Sequence, residues 1–307
     1  MQIIGTILII MLGLAAIVNG QQDQMPVAGS NNLLCAGFVQ RAGVDTGRKI
    51  VGADLEKEKN IYAQGDYVYL SQGSGSGVKV GDMFSVIRPR GRVETRWTDK
   101  KNLGFYVQEV GSLEVVRVRN DVSIAMVKTS CDNILMGDLF QPMPQRTSPV
   151  FKQRPPLDLF STPSGKSSGR IFMARDGHEM VGPEQIVYID LGAEDNVRVG
   201  DYLTIFRPLG TGSILDDLPG ESVSARDEGY QSNEYRGGKF SNQAARKQGD
   251  EARGKVVTSK KAKRDRPGNL RKVLGEMVIL NVKERTATAV IVRTAGEIHT
   301  GDFVEVQ

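Results

Sequence analysis

The chain has 307 residues, with 40 basic against 36 acidic side chains, a net charge of +4 and 39% hydrophobic residues. That length allows two modest domains with linkers, and so mild a positive balance does not by itself argue for a nucleic-acid partner. The 35 glycines against 6% aromatics favour turn-rich β structure over helices.

Ile3 to Val18 is a predominantly apolar run followed by Asn19-Gly20-Gln21-Gln22. It is short for a membrane span and suits the core of a signal peptide over residues 1–20. Met1-Gln2 puts no Lys or Arg ahead of it, so an uncleaved anchor is the competing reading. Residues 21–46 read as a mobile polar segment, with Cys35-Ala36-Gly37-Phe38-Val39 as an extra strand docked on the first domain. Cys35 and Cys131 are the only cysteines. In an exported chain they suit one disulfide; otherwise they are two buried or free thiols. Neither lies at a metal-ligand spacing, and no metal or cofactor is expected.

Residues 47–142 read as a run of short strands. Ile50 to Ala53 is one, and Tyr67-Val68-Tyr69-Leu70 alternates at period two. Gln72 to Gly77 is a glycine-rich loop. Met83 to Ile87 is a strand ended by Pro89. Arg90 to Gln108 is an excursion holding Trp97, and Val110–Val118 with Val122–Thr129 forms a hairpin turned at Asn120-Asp121. Gly137-Asp138 opens a closing strand. Residues 143–168 are a proline-rich linker, extended and semi-rigid.

The pattern then returns over 169–307. Val78-Lys79-Val80-Gly81-Asp82 recurs as Val197-Arg198-Val199-Gly200-Asp201, an offset of 119. Val110-Gly111-Ser112-Leu113 recurs as Leu274-Gly275-Glu276-Met277, and Gly137-Asp138 as Gly301-Asp302, an offset of 164. The offsets differ by 45 residues, so the second copy carries an insertion, placed at 211–272 and read as disordered from its polar composition. The expected fold is all-β: two tandem small antiparallel barrels of the SH3-like or a similar type, from an internal duplication. Closure removes exposed strand edges.

Four Gly-Asp pairs, Gly81-Asp82, Gly137-Asp138, Gly200-Asp201 and Gly301-Asp302, each precede a strand. They read as turns, with glycine at positive φ and the Asp bonding nearby amides. Arg88-Pro89 and Arg207-Pro208 end equivalent strands, where the arginines either pair with an acidic turn or bind a partner. Trp97 with Arg92 and Arg96 either anchors a glycan or protein partner or caps an open barrel end. The basic cluster from Lys255 to Lys272, including Lys260, Lys261, Lys263, Arg264 and Arg266, either is a solvated loop or holds a polyanion. His178 and His299 occupy unrelated positions and carry no GxSxG context, so no catalytic residue is assigned.

The duplicated pattern, Val-Lys/Arg-Val-Gly-Asp followed by an Arg-Pro strand end and Ile-x-x-Gly-Asp, resembles the C-terminal small β-barrel domain of bacterial flagellar assembly protein T. It is similar also to barrel repeats of exported envelope proteins that often carry a LysM peptidoglycan-binding module. The resemblance implies a non-enzymatic scaffold or adaptor in the periplasm or elsewhere in the envelope. Its partner would be an envelope protein, flagellar or other, or a peptidoglycan component, with peripheral membrane attachment allowed. The alternative is a barrel protein that binds nucleic acid or another polyanion through 255–272, which export would disfavour for nucleic acid.

Overall fold

The computed structural model describes residues 25–209 and 267–307. The N-terminal segment opens with a one-turn helix, α1 (Ser30–Leu34), and strand β1 (Phe38–Gln40). A first sheet follows from β2 (Ile50–Ala53), β3 (Tyr67–Leu70), β4 (Met83–Arg92), β5 (Phe105–Val118), β6 (Ser123–Ser130) and β7 (Leu139–Pro142). The second half holds β8 (Ser168–Ala174), β9 (Met180–Val181), β10 (Ile186–Ile189), β11 (Tyr202–Pro208), β12 (Arg271–Val282), β13 (Ala287–Thr294), β14 (Ile298–His299) and β15 (Phe303–Val306). The protein is all-β and antiparallel, as its alternation predicts.

The second half is a closed six-stranded barrel, β10-β13-β12-β11-β15-β8, with β9 paired to β14 beside it. The first sheet runs β2-β3-β6-β5-β4-β7 and adds β1 on β5. Its two ends also meet. Lys49 bridges Leu139, the Ile50 N–H donates to the Asp138 carbonyl at 2.9 Å, and the Phe140 N–H donates to that of Arg48 at 3.0 Å. Begun at β8, the ring reads β8-β10-β13-β12-β11-β15, which is the strand order of the first sheet.

Period-two alternation builds both interiors. Val68 and Leu70 of β3 are fully buried in the first core, with Phe84, Leu113, Val127, Ile134 and Phe140. Leu203, Ile205, Met277, Ile279, Ala289 and Ile291 fill the second. A third apolar core lies outside both barrels. Ala28, Leu33, Val39 and Leu103 pack there against Phe172, Ile186, Tyr188, Tyr202, Val278, Leu280 and Val290. The barrels therefore share a seam, and burying this apolar surface welds them.

Two boundaries shift. The segment expected to be mobile is packed, with Ala28 and Leu33 only 3% and 7% exposed, while the extra strand expected to dock on the first domain forms as β1 on β5, with Val39 1% exposed. Leu33 and Val39 are apolar residues in a polar stretch, and the seam gives them a place to bury. The insertion expected to reach residue 272 ends earlier, because β12 starts at Arg271. The part of that insertion between 211 and 266, and the signal-like run 1–20, lie outside the described residues. The proline-rich linker adheres to its surroundings. The Val27 N–H donates to the Pro149 carbonyl at 2.8 Å, and the Val273 N–H donates to that of Leu159 at 3.0 Å.

Candidate functional site

The four Gly-Asp pairs adopt one geometry. Gly81, Gly137, Gly200 and Gly301 have φ of +90°, +89°, +90° and +97°, a region that costs any residue with a Cβ. Each following Asp accepts, through Oδ2, the N–H three residues back: Lys79, Leu135 and Arg198 at 2.8 Å and His299 at 2.7 Å. A fifth turn of this kind uses Gly65 and Asp66, where Asp66 accepts the Ala63 N–H at 2.8 Å. Its counterpart in the second barrel has Glu184 at φ +65° and Gln185 accepting the Gly182 N–H at 2.8 Å.

The two closing turns also receive the repeated arginines. Arg88 donates Nε and Nη2 to the two Asp138 oxygens at 2.8 and 2.7 Å. Arg207 does the same to Asp302 at 2.7 and 2.8 Å. Asp138 and Asp302 are 6% and 5% exposed, so each carboxylate is balanced by a forked guanidinium. The hydrogen bond to the carboxylate pushes both arginines above their ordinary range. These arginines tie the middle of β4, which runs on past Pro89 to Arg92 instead of ending there as expected, or the end of β11 to the turn that opens β7 or β15.

The seam is the second built feature. Cys35 and Cys131 form a disulfide, with Cα atoms 5.6 Å apart, tying the N-terminal segment to the end of β6. Glu109, 2% exposed on β5, takes a bidentate pair from Arg146 of the linker at 2.7 Å and accepts the Gly37 N–H at 3.0 Å. On its other side the stretch from Ala36 to Val39 offers carbonyls to the second barrel. Thr286 and Thr288 hydroxyls of the β12–β13 hairpin donate to Val39 and Gly37 at 2.7 and 3.1 Å, and the Tyr188 hydroxyl donates to Ala36 at 2.7 Å. Burial, then the neighbouring Tyr106, pushes the Tyr188 phenol well above its usual range. It stays a neutral donor.

Trp97 belongs to this seam. The excursion between β4 and β5 reaches over to the second barrel, where the indole lies on Gly301; a Cβ there would stand 2.5 Å from the ring. Arg96 stacks over the same ring at 4.4 Å. Thr98 hydrogen-bonds Asp190, and the Lys100 ammonium reaches Glu194 at 2.5 Å, Asp195 at 2.7 Å and the Asp190 carbonyl at 2.9 Å. Arg285 completes the clasp with Glu194 at 3.1 Å. Arg92 lies outside it, over the Phe105 ring at 5.9 Å.

Of the basic cluster, Lys260, Lys261, Lys263, Arg264 and Arg266 lie outside the described residues. Arg271, counted into the same run, is 9% exposed and bound to Glu305 at 2.5 Å and to the Ser161 and Thr162 carbonyls. Its charge is used inside the fold, because Glu305 and the linker carbonyls enclose it on the outer side of the barrel. His178 is exposed, and His299 presents Nδ1 to Arg207 at 3.1 Å. Among the described residues no group of three His, Cys, Asp or Glu is placed to hold a metal ion, and no helix is long and apolar enough to cross a membrane.

Sequence reasoning did not assign Tyr188, Glu109, Arg146 or Lys283 to any site. Lys283 lines a cavity on the seam with Phe38, Gln141, Arg146 and Asn281, its ammonium 4.2 Å over the Phe38 ring. Burial, then the nearby Arg146, pushes that ammonium below its usual range. One signal for the seam was present. Ile186-Val187-Tyr188-Ile189 is apolar at every position, the mark of a strand covered on both faces. A scan against family models finds no match for this chain, and a search of curated proteins finds none either.

Proposed function

We propose that this protein is an exported, non-enzymatic scaffold or adaptor of the bacterial cell envelope, built from a duplicated barrel. The observation that carries the reading is the Cys35–Cys131 disulfide beneath the seam. A structural disulfide belongs to an oxidising compartment, and the apolar run at Ile3–Val18 supplies a route to one. The disulfide, the Glu109–Arg146 pair and the clasp hold two barrels as one body, which is what a scaffold requires. The shared strand order supports the duplication. The partner is a protein of a flagellar or other envelope assembly, or peptidoglycan.

Cell fractionation with thiol trapping tests this. The protein should reside in the periplasmic or envelope fraction with both cysteines blocked to alkylation. A cytoplasmic protein with two free thiols would overturn the reading. Crosslinked pull-down from the envelope fraction, compared with binding to isolated sacculi, separates a protein partner from peptidoglycan.

A further inference from the structure

The second barrel carries an outward-facing row across four strands: Ile186, Val290, Val278 and Tyr202, each in register with the next. They are 1%, 1%, 0% and 7% exposed, because the seam covers them. The first barrel has the same row in the same register: Tyr67, Met126, Glu114 and Met83. There Tyr67 is 42% and Met83 36% exposed, and beside them Val51 is 47% and Val116 38% exposed. Val51 and Val116 hold the places of Phe172 and Leu280, which are 3% and 2% exposed in the seam. One exposed apolar side chain is ordinary, but several on one sheet face form a patch of the kind that marks an interface.

We propose that this face of the first barrel pairs with the same face of a second copy of the chain, forming a two-fold homodimer. The charges on the face choose that occupant. Glu114 sits within the row, and Lys128 reaches it from the next strand at 2.9 Å. The corresponding positions in the second barrel are Val278 and Val292, which suit burial inside one chain. The Glu114–Lys128 pair is complementary to itself, and Arg117, exposed beside Val116 on the same face, adds one further positive charge. A two-fold rotation brings the Glu114 of each copy to the Lys128 of the other, whereas a face of one sign would repel its own copy. Two-fold contacts of identical patches are also the commonest way for a chain to associate. The pair keeps the face hydrated before assembly and fixes the register afterwards. The proposal does not depend on the compartment in which the protein works.

Light scattering on the purified full chain tests it. At about 100 µM, where a micromolar dimer is mostly formed, the expected mass is twice 33.5 kDa. Met83→Asp or Tyr67→Asp should weaken the dimer by ~100-fold or more, because each places unpaired charge in an apolar contact. Their thermal unfolding measured on the monomer should stay near that of the parent chain, since both sites are on the surface. Glu114→Lys alone and Lys128→Glu alone should each be monomeric, because each leaves two like charges where the pair stood. Mixing those two variants should restore a dimer containing one of each. A parent chain that stays monomeric overturns the proposal. So does a dimer that survives both Asp variants, or a mixture that stays monomeric. If Met83→Asp abolishes capture of an envelope partner by a monomeric parent chain, the face serves that partner and the homodimer is overturned.

Discussion

At the scale of single residues, the likeness of the two barrels rests largely on backbone geometry. Positive φ falls on glycine at four Gly-Asp turns and at Gly65, yet on Glu184 in the remaining equivalent. The Glu184 side chain is exposed, so the strain there is uncompensated by packing. Left-handed backbone costs a residue with a Cβ about 1–2 kcal/mol, of which the greater freedom of unfolded glycine takes back about half. Glu184→Gly should therefore raise stability by about 0.5–1 kcal/mol in urea titration, and Gly65→Ala should lower it by about 1 kcal/mol. Equal and opposite signs for the pair are the essential result; a destabilising Glu184→Gly would mean the turn is not strained. The arginine forks behave differently, since removing one partner leaves a carboxylate buried. Arg207→Met should cost roughly 2–3 kcal/mol, with Arg88→Met similar, while Arg92→Met should be nearly silent in the same titration. The Gly-Asp turns were legible because glycine and a short acid report a local backbone shape. The Arg–Asp partnership spans 95 residues in the second barrel, whose closure brings its ends together.

At the scale of elements, the loop between β4 and β5 has become a clasp. Its legibility was partial: Trp97 with neighbouring cations marked a contact, but periodicity does not say whether the surface met is another molecule or the chain's own second barrel. The clasp depends on pH. Lys100, then Arg285, hold the Glu194 carboxyl below its ordinary range. Its folded value therefore lies below its unfolded value near 4.3, and unfolding of the clasp takes up a proton as the medium acidifies. The contribution is present above that unfolded value and is lost as pH falls through the folded one. Glu305 acts in the same sense. Burial alone would raise it, but the Arg271 hydrogen bond outweighs that and leaves it lowered. Trp97 is the only tryptophan, so its emission reports the clasp directly. Emission should shift to the red as pH falls below about 4, and Lys100→Met should move that midpoint to higher pH. An unmoved midpoint in Lys100→Met would place the acid sensitivity elsewhere.

At the scale of the whole molecule, the sequence announces two barrels, but the structure makes one body of them. What hid the unity was the location of its glue. The N-terminal segment belongs to neither repeat, so a search for internal similarity passes over it. Its apolar residues are too few to form an amphipathic element alone. Yet Ala28, Leu33 and Val39 fill the space between the barrels, and β1 bonds β5 on one side while the β12–β13 hairpin caps its carbonyls on the other. Coupling of this kind makes unfolding of one barrel expose apolar surface on the other. Calorimetry should then show one transition with matching calorimetric and van't Hoff enthalpies. The disulfide closes a long loop, since Cys35 and Cys131 are 96 residues apart. Such a crosslink contributes roughly 3–5 kcal/mol in the chain-entropy account. Replacing both cysteines by serine should lower stability by about that amount and also free the N-terminal segment to leave the seam. With Leu33→Asp added, the glue is charged as well as untethered, and the single transition should split into two, one for each barrel. The Cys35→Ser/Cys131→Ser/Leu33→Asp variant is decisive because it alters no residue of either barrel's interior core. If its melt remains single, the barrels are coupled by the clasp and linker instead, and the N-terminal segment is only a passenger on the first barrel.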